Sequence, residues 1–280
     1  MNKRTCERRL CGLVALMVLM PWFSGCSNVP GGGNPPDIPP ASTLVMDFDD
    51  FTESGEPKLS GIEVRADGDP FMRQNWGWAV THVAVWNTVI TVGLVVPVIA
   101  FLESFNHEPE RQDDGTWVWA YDVEVVGVPH HAELHAQTVD GDIHWAMFIT
   151  KEGFYEDFNW FTGVSNLPAT EGTWTLFKAP EDPLPFVGIE WHRNPLEETG
   201  DIRYTNVVPD GPENGGFIFY GVTQETPFDA FYEIFNKGQD NTTNIEWNRE
   251  SKEGRARDPR HFGDDEWHCW DDELVDVDCS

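Results

Sequence analysis

The sequence predicts a mainly β protein: a curved antiparallel meander, half-barrel or barrel-like, with one long apolar helix packed against it. Three observations predict this. From Thr116 onward, apolar residues recur at every second position. Turn signals punctuate that region at short spacing, at Asp140-Gly141, Glu171-Gly172, Thr199-Gly200, Asn214-Gly215-Gly216 and Glu253-Gly254. One stretch, about residues 71–105, is apolar nearly all round over the length of a helix. Many short strands joined by Gly or Asp turns describe an up-and-down sheet that curls or closes.

The chain begins with the basic residues Lys3, Arg4, Arg8 and Arg9, then an apolar run from Leu10 to Met20, then Pro21-Trp22-Phe23-Ser24-Gly25-Cys26. A charged start, an apolar stretch of about ten residues and small residues before a cut site describe a secretory signal over residues 1–25. The run falls short of the roughly 20 residues that a transmembrane helix needs. Phe23-Ser24-Gly25-Cys26 resembles the lipobox of bacterial lipoproteins, with Phe23 where that family usually has Leu. The resemblance covers about the first tenth of the chain. It implies that Cys26 carries acyl chains such as palmitate and becomes the new N-terminus, so that the partner is a membrane and the location is the bacterial cell envelope. In that family, Asp after the Cys retains the protein at the inner membrane. Ser27 stands there in this chain, which implies the outer membrane where the envelope has one. Two acyl chains meet the physical requirement for stable anchoring by lipid.

Charge narrows the partners. The 280 residues carry a formal net charge of −30. Loss of residues 1–25 removes Lys3, Arg4, Arg8, Arg9 and Glu7, leaving 14 basic and 47 acidic residues, a net of −33. Nucleic acid is excluded, because its binding rests on a basic footprint. Anionic head groups repel such a chain too, so the lipid is its evident link to the membrane. The acid excess reads as a solvated surface that prevents association, or alternatively as a means of holding divalent cations.

Residues 26–43 read as the lipidated Cys and a Gly/Pro-rich tether, SNVPGGGNPPDIPPAS, partly flexible and partly polyproline-like. A single domain follows over 44–280. Within its helical stretch, 79–102 is long enough for a membrane span. However, His82, Asn87 and three Thr lie inside it, Pro97 interrupts it, and no basic cluster flanks it. It therefore reads as a helix buried by its own protein, kinked near Pro97; its many Val and Ile also fit a helix followed by a strand. Trp117-Val118-Trp119-Ala120-Tyr121-Asp122-Val123-Glu124-Val125 alternates as a half-buried strand does. Further runs lie around 130–138, 142–150, 172–178, 185–193, 201–208, 215–223, 228–236, 243–250 and 265–271. One echo is visible: Gly188-Ile189-Glu190-Trp191-His192-Arg193 recurs as Asn244-Ile245-Glu246-Trp247-Asn248-Arg249, and each copy leads through a Gly turn to an Arg-bearing strand, at Arg203 or at Arg255 and Arg257. Cross-strand ion pairs are the simplest account of those charges.

Cysteines leave one pair. Cys6 and Cys11 depart with the signal and Cys26 takes the lipid, so Cys269 and Cys279 remain for a disulfide in an oxidising compartment. Three groups of residues are candidates for a site. With Asp140-Gly141 as a two-residue turn, Val139 pairs with Asp142, Gln137 with His144 and His135 with Ala146. His131, Glu133, His135 and His144 then share one face, and imidazole with carboxylate suits zinc or another transition metal. Against this, His131 and His135 lie about 13 Å apart along a strand, and a polar solvent face is the plain alternative. Near the C-terminus, Asp271, Asp272, Asp276 and Asp278 offer oxygen ligands for calcium, without the spacing of an EF-hand. Trp160 and Phe161, in Phe158-Asn159-Trp160-Phe161-Thr162-Gly163, sit near a turn as a plausible exposed aromatic pair for ligand binding, whereas most of the 13 Trp fill a core.

No nucleophile elbow, P-loop, dinucleotide fingerprint or His-Glu-x-x-His motif occurs. No cofactor is required, although a divalent metal stays open. Three readings follow: a lipid-anchored, non-enzymatic envelope protein with a structural or binding role; a carrier or binder of an apolar ligand, since a helix against a curled sheet resembles the shape of periplasmic lipoprotein carriers; or a metal-dependent enzyme using His131, His135 and His144.

Overall fold

The computed structural model describes residues 33–45 and 73–279, with the backbone alone for 87–93. Residues 1–25, Cys26 and the tether as far as residue 32 lie outside the described residues. Pro35–Ser280 forms one compact unit.

The unit is mainly β. Fourteen antiparallel strands form one open sheet in which spatial order equals chain order. They are β1 (Glu110–Arg111), β2 (Trp117–Val125), β3 (Val128–Val139), β4 (Asp142–Lys151), β5 (Tyr155–Ser165), β6 (Glu171–Ala179), β7 (Asp182–Asn194), β8 (Thr199–Asn206), β9 (Phe217–Val222), β10 (Ala230–Asn236), β11 (Asn241–Trp247), β12 (Gly254–Arg257), β13 (His268–Trp270) and β14 (Asp276–Val277). Period two sets which face each residue takes. In β2, Trp119, Tyr121, Val123 and Val125 are buried, while Ala120, Asp122 and Glu124 are exposed.

Where one helix was expected over about 71–105, there are two: α1 (Gln74–Gly93) and α2 (Val95–Ser104). Leu94 separates them, with φ −116° and ψ 11°. The cause is Pro97. It has no N–H to give to the carbonyl four residues back, at Gly93, and its ring crowds that carbonyl. In the first turn of α2 the missing N–H costs nothing, because that donor would have no helical partner. No helix among the described residues is long and apolar enough to cross a membrane. α2 packs on β2, β3 and β4, whereas α1 packs on β12, β13 and β14. Residues 38–45 also reach the core. Leu44 is fully buried, its carbonyl accepts from the Tyr204 hydroxyl at 3.0 Å, and Thr43 Oγ1 accepts from the Trp174 indole N–H at 3.4 Å.

The core is built from large rings on one face of the sheet and from Phe101 of α2. Trp174, Trp191, Trp247, Trp270, Tyr204, Tyr232, Phe101 and Phe161 are its largest fully buried side chains. A repeated device seats the indoles. Trp174 lies opposite Gly163, and Trp191 lies opposite Gly172. Each ring occupies the space that a side chain on the neighbouring strand would fill. A Cβ added at Gly172 would sit 2.5 Å from the Trp191 ring, closer than any packing tolerates.

Candidate functional site

The β3–β4 hairpin turns at Asp140-Gly141, with φ of 53° and 99°, the positive-φ pair that a two-residue turn needs. Val139 pairs with Asp142, Gln137 with His144 and His135 with Ala146. Leu134, Ala136, Ile143, Trp145, Met147 and Ile149 are buried on the core face. On the other face His131 Nδ1 lies 2.9 Å from Asp122 Oδ1, and His135 Nε2 lies 2.8 Å from Glu133 Oε2. The second oxygen of Glu133 lies 3.7 Å from His131 Nε2. The result is a line, Asp122–His131–Glu133–His135, with Glu133 shared between two imidazoles. His144 stands apart, opposite Gln137 on β4.

This line replaces the expected metal set of His131, Glu133, His135 and His144. No group of three or more His, Cys, Asp or Glu among the described residues is placed to hold a metal ion. The reason is the pleat. Same-face residues on a strand are spaced about 6.6 Å apart, so Glu133 reaches its two neighbours with separate oxygens and nothing draws the three rings to a point.

Of the four acids expected to hold calcium, Asp271 and Asp276 are instead occupied with backbone amides. Asp276 accepts from the N–H of Gln74 at 3.0 Å and of Asn75 at 2.9 Å. It thereby caps α1 from about two hundred residues away, where a carboxylate also complements the helix dipole. Asp271 Oδ1 accepts from Glu273 N at 3.0 Å and Val275 N at 2.9 Å, closing a turn. Asp272 and Asp278 are exposed. Cys269 and Cys279 are disulfide-bonded, and the Cys269 carbonyl accepts from Asn75 Nδ2 at 2.9 Å. The disulfide thus braces the segment that caps α1.

Trp160 and Phe161 are buried, at 7% and 0% exposure, and so are not the exposed pair that the sequence suggested. They lie within β5. Met147 pairs with Phe161 and Phe148 with Asn159, so Trp160 is the extra residue of a β-bulge. A bulge turns consecutive side chains toward one face.

Sequence reasoning missed two features. The first is Asp258, 1% exposed, which caps the short helix α3 (Pro259–Phe262). Burial works to raise its pKa. Hydrogen bonds from Thr243, Asn241 and the backbone N–H groups of His261 and Arg260 outweigh that and hold it below the usual carboxylate value. Asp followed by Pro at the first helical position was the available signal. Trp78 stacks on His261 at 3.6 Å between ring centroids and meets His82 at 4.1 Å. Burial lowers the pKa of His82 against the pull of the Asp258 charge.

The second is an arginine–aromatic band on the outer face. Arg203 lies over Phe217 and Phe219 at 4.0 and 4.7 Å from the ring centroids. Arg255 lies over Trp267 at 4.2 Å and Phe228 at 5.0 Å.

Comparison with known protein families, characterised proteins and solved structures finds no match. The fold and its faces therefore define the class on their own terms: an antiparallel meander domain with one aromatic core face and one charged face.

Proposed function

We propose that the protein is a lipid-anchored component of the bacterial cell envelope, exported through residues 1–25 and held by acyl chains on Cys26, with a structural or binding role. The observation that carries this reading is the distribution of cysteines. Three fall in the first 26 residues, at Cys6, Cys11 and the lipobox-like Cys26. The other two are joined as Cys269–Cys279, as suits an oxidising compartment.

Within this reading the sheet curls into a half-barrel around the helices. Fourteen strands at about 4.8 Å spacing would extend roughly 60 Å if flat. Two consecutive helices nevertheless meet β2–β4 at one end and β12–β14 at the other, and all core residues belong to one cluster. Eight large rings occupy that interior, which favours a solid platform over a carrier of apolar ligands.

Intact-mass spectrometry of protein extracted from the membrane fraction tests the anchor. A chain beginning at Cys26 with two or three acyl chains is expected, and Cys26→Ser should move the protein to the soluble fraction. Residues 1–25 still attached, or an unacylated Cys26 in membrane-bound protein, would sink the proposal.

A further inference from the structure

The outer edge of β2 offers a place for a partner strand. Val125 and Val128 flank the two-residue turn Val126-Gly127, whose φ values are 50° and 75°. In such a turn the flanking residues exchange both hydrogen bonds. Alternation then directs the N–H and C=O of Val123, Tyr121 and Trp119 toward β3. Those of Glu124, Asp122 and Ala120 face away from it. β1 covers β2 only at Trp117 and Val118. Beyond that point, six backbone groups on three alternate residues have no backbone partner among the described residues.

The surroundings specify what fits. On the outer face the edge carries Asp122, its side chain 91% exposed, and the exposed Glu124. On the inner face Trp119, Tyr121, Val123 and Val125 are buried in the chain's own core, so the apolar surface open to a partner comes from beside them. α2, which packs on β2, leaves Leu102 43% exposed, and Phe105, just past its end, is 45% exposed. A strand added here would thus find carboxylates on one side and apolar surface on the other. We propose that β2 binds an extended segment of another protein, in which basic side chains alternate with apolar ones, by β-strand addition. Charge decides between this occupant and a second copy of the chain. Two β2 edges paired with one another would bring four carboxylates together on molecules that already repel strongly.

The test uses the full-length protein and two fluorescent hexapeptides, one alternating Lys with Val and one alternating Glu with Val, read by anisotropy at low and high salt. The Lys peptide should bind at least tenfold more tightly than the Glu peptide, and high salt should weaken it. Ala120→Pro removes an outward N–H without touching the β3 ladder, a position where edge strands accept proline. This variant should weaken binding tenfold or more while melting within a few degrees of the parent. The double variant Asp122→Lys, Glu124→Lys should reverse the preference between peptides. Equal binding of both peptides, or undiminished binding by Ala120→Pro, overturns the proposal. So does slow hydrogen exchange at Ala120, Asp122 and Glu124 in the free protein, which would mean that the chain covers its own edge. A concentration-dependent dimer abolished by Ala120→Pro would assign the edge to a second copy and equally overturn it.

Discussion

The strand pairs β7–β8 and β11–β12 begin from nearly the same sequence and treat their charges differently. In both, Ile and Trp enter the core: Ile189 and Trp191 are each 1% exposed, and Ile245 and Trp247 are 0% and 1%. In both, the Glu between them faces outward, directly opposite an Arg on the next strand: Glu190 opposite Arg203 and Glu246 opposite Arg255. Arg255 Nε donates to Glu246 at 2.7 Å, whereas Arg203 lies over Phe217 and Phe219. Both arginines also meet aromatic rings, Arg203 beside Phe219 on β9 and Arg255 over Trp267 and Phe228, so the copies differ in the ion pair alone. A motif thus determines which face its residues take, and leaves open which contacts its polar groups make there.

The largest break in this comparison is expected at the shared element. Trp191→Ala and Trp247→Ala should each cost about 3–5 kcal/mol in chemical denaturation, because each empties a full indole from the core. If one copy tolerated the change, the two hairpins would not be energetic equivalents. Next comes Gly172→Ala. Its new Cβ would meet both the Trp191 ring and the Val164 carbonyl at 2.5 Å, for a loss of about 1–3 kcal/mol. Gly188→Ala meets only Val207 Cγ1 at 3.2 Å and should stay within about 0.5 kcal/mol.

Asn206 ends β8 and Asp258 directly follows β12, each three residues after the arginine that faces the motif's glutamate. Both side chains accept from the N–H two residues on, of Val208 and Arg260. Asp258→Asn makes the second copy like the first and should cost about 1–2 kcal/mol at neutral pH. Because the folded pKa of Asp258 lies below its unfolded value near 3.8, its contribution is present above that value and fades as pH falls through the lower folded value. The gap between parent and variant should therefore close below about pH 4 in melting curves recorded against pH. A constant gap would remove the carboxylate from the explanation. The smallest effect separates the two glutamates. Glu246→Gln should cost about 0.5–1 kcal/mol and Glu190→Gln almost nothing, since only the former holds a partly exposed ion pair.

Much of the sheet was legible because period two and Asp-Gly chemistry constrain it together. Asp140-Gly141 admits one register for the β3–β4 hairpin, and that register assigns every side chain of 131–149 to a face. Legibility failed where a local rule was broken. Val126 turns a hairpin at positive φ with a β-branched residue, so nothing marked the turn. Trp160 interrupts the alternation of β5 with a bulge, so a strand looked like a loop with exposed rings. The helix break was readable as Pro97 but displaced to Leu94, because proline acts on the carbonyl four residues before it. At the candidate sites the chemistry of the residues was visible and their convergence was not. Whether His131, His135 and His144 meet, or Asp271 and Asp276 turn toward backbone amides, depends on spacing and contacts that residue types do not encode.

The distant cap on α1 bears on the order in which the molecule is completed. Every strand of the meander pairs with its neighbour in sequence, so each can be added at the entropic expense of a short loop. The bonds from Gln74 and Asn75 to Asp276 are different, spanning 202 and 201 residues. A chain made from its N-terminus delivers α1 before every described strand and its cap only with β14. Among the described elements, the first α-helix is therefore secured only when the last strand is in place.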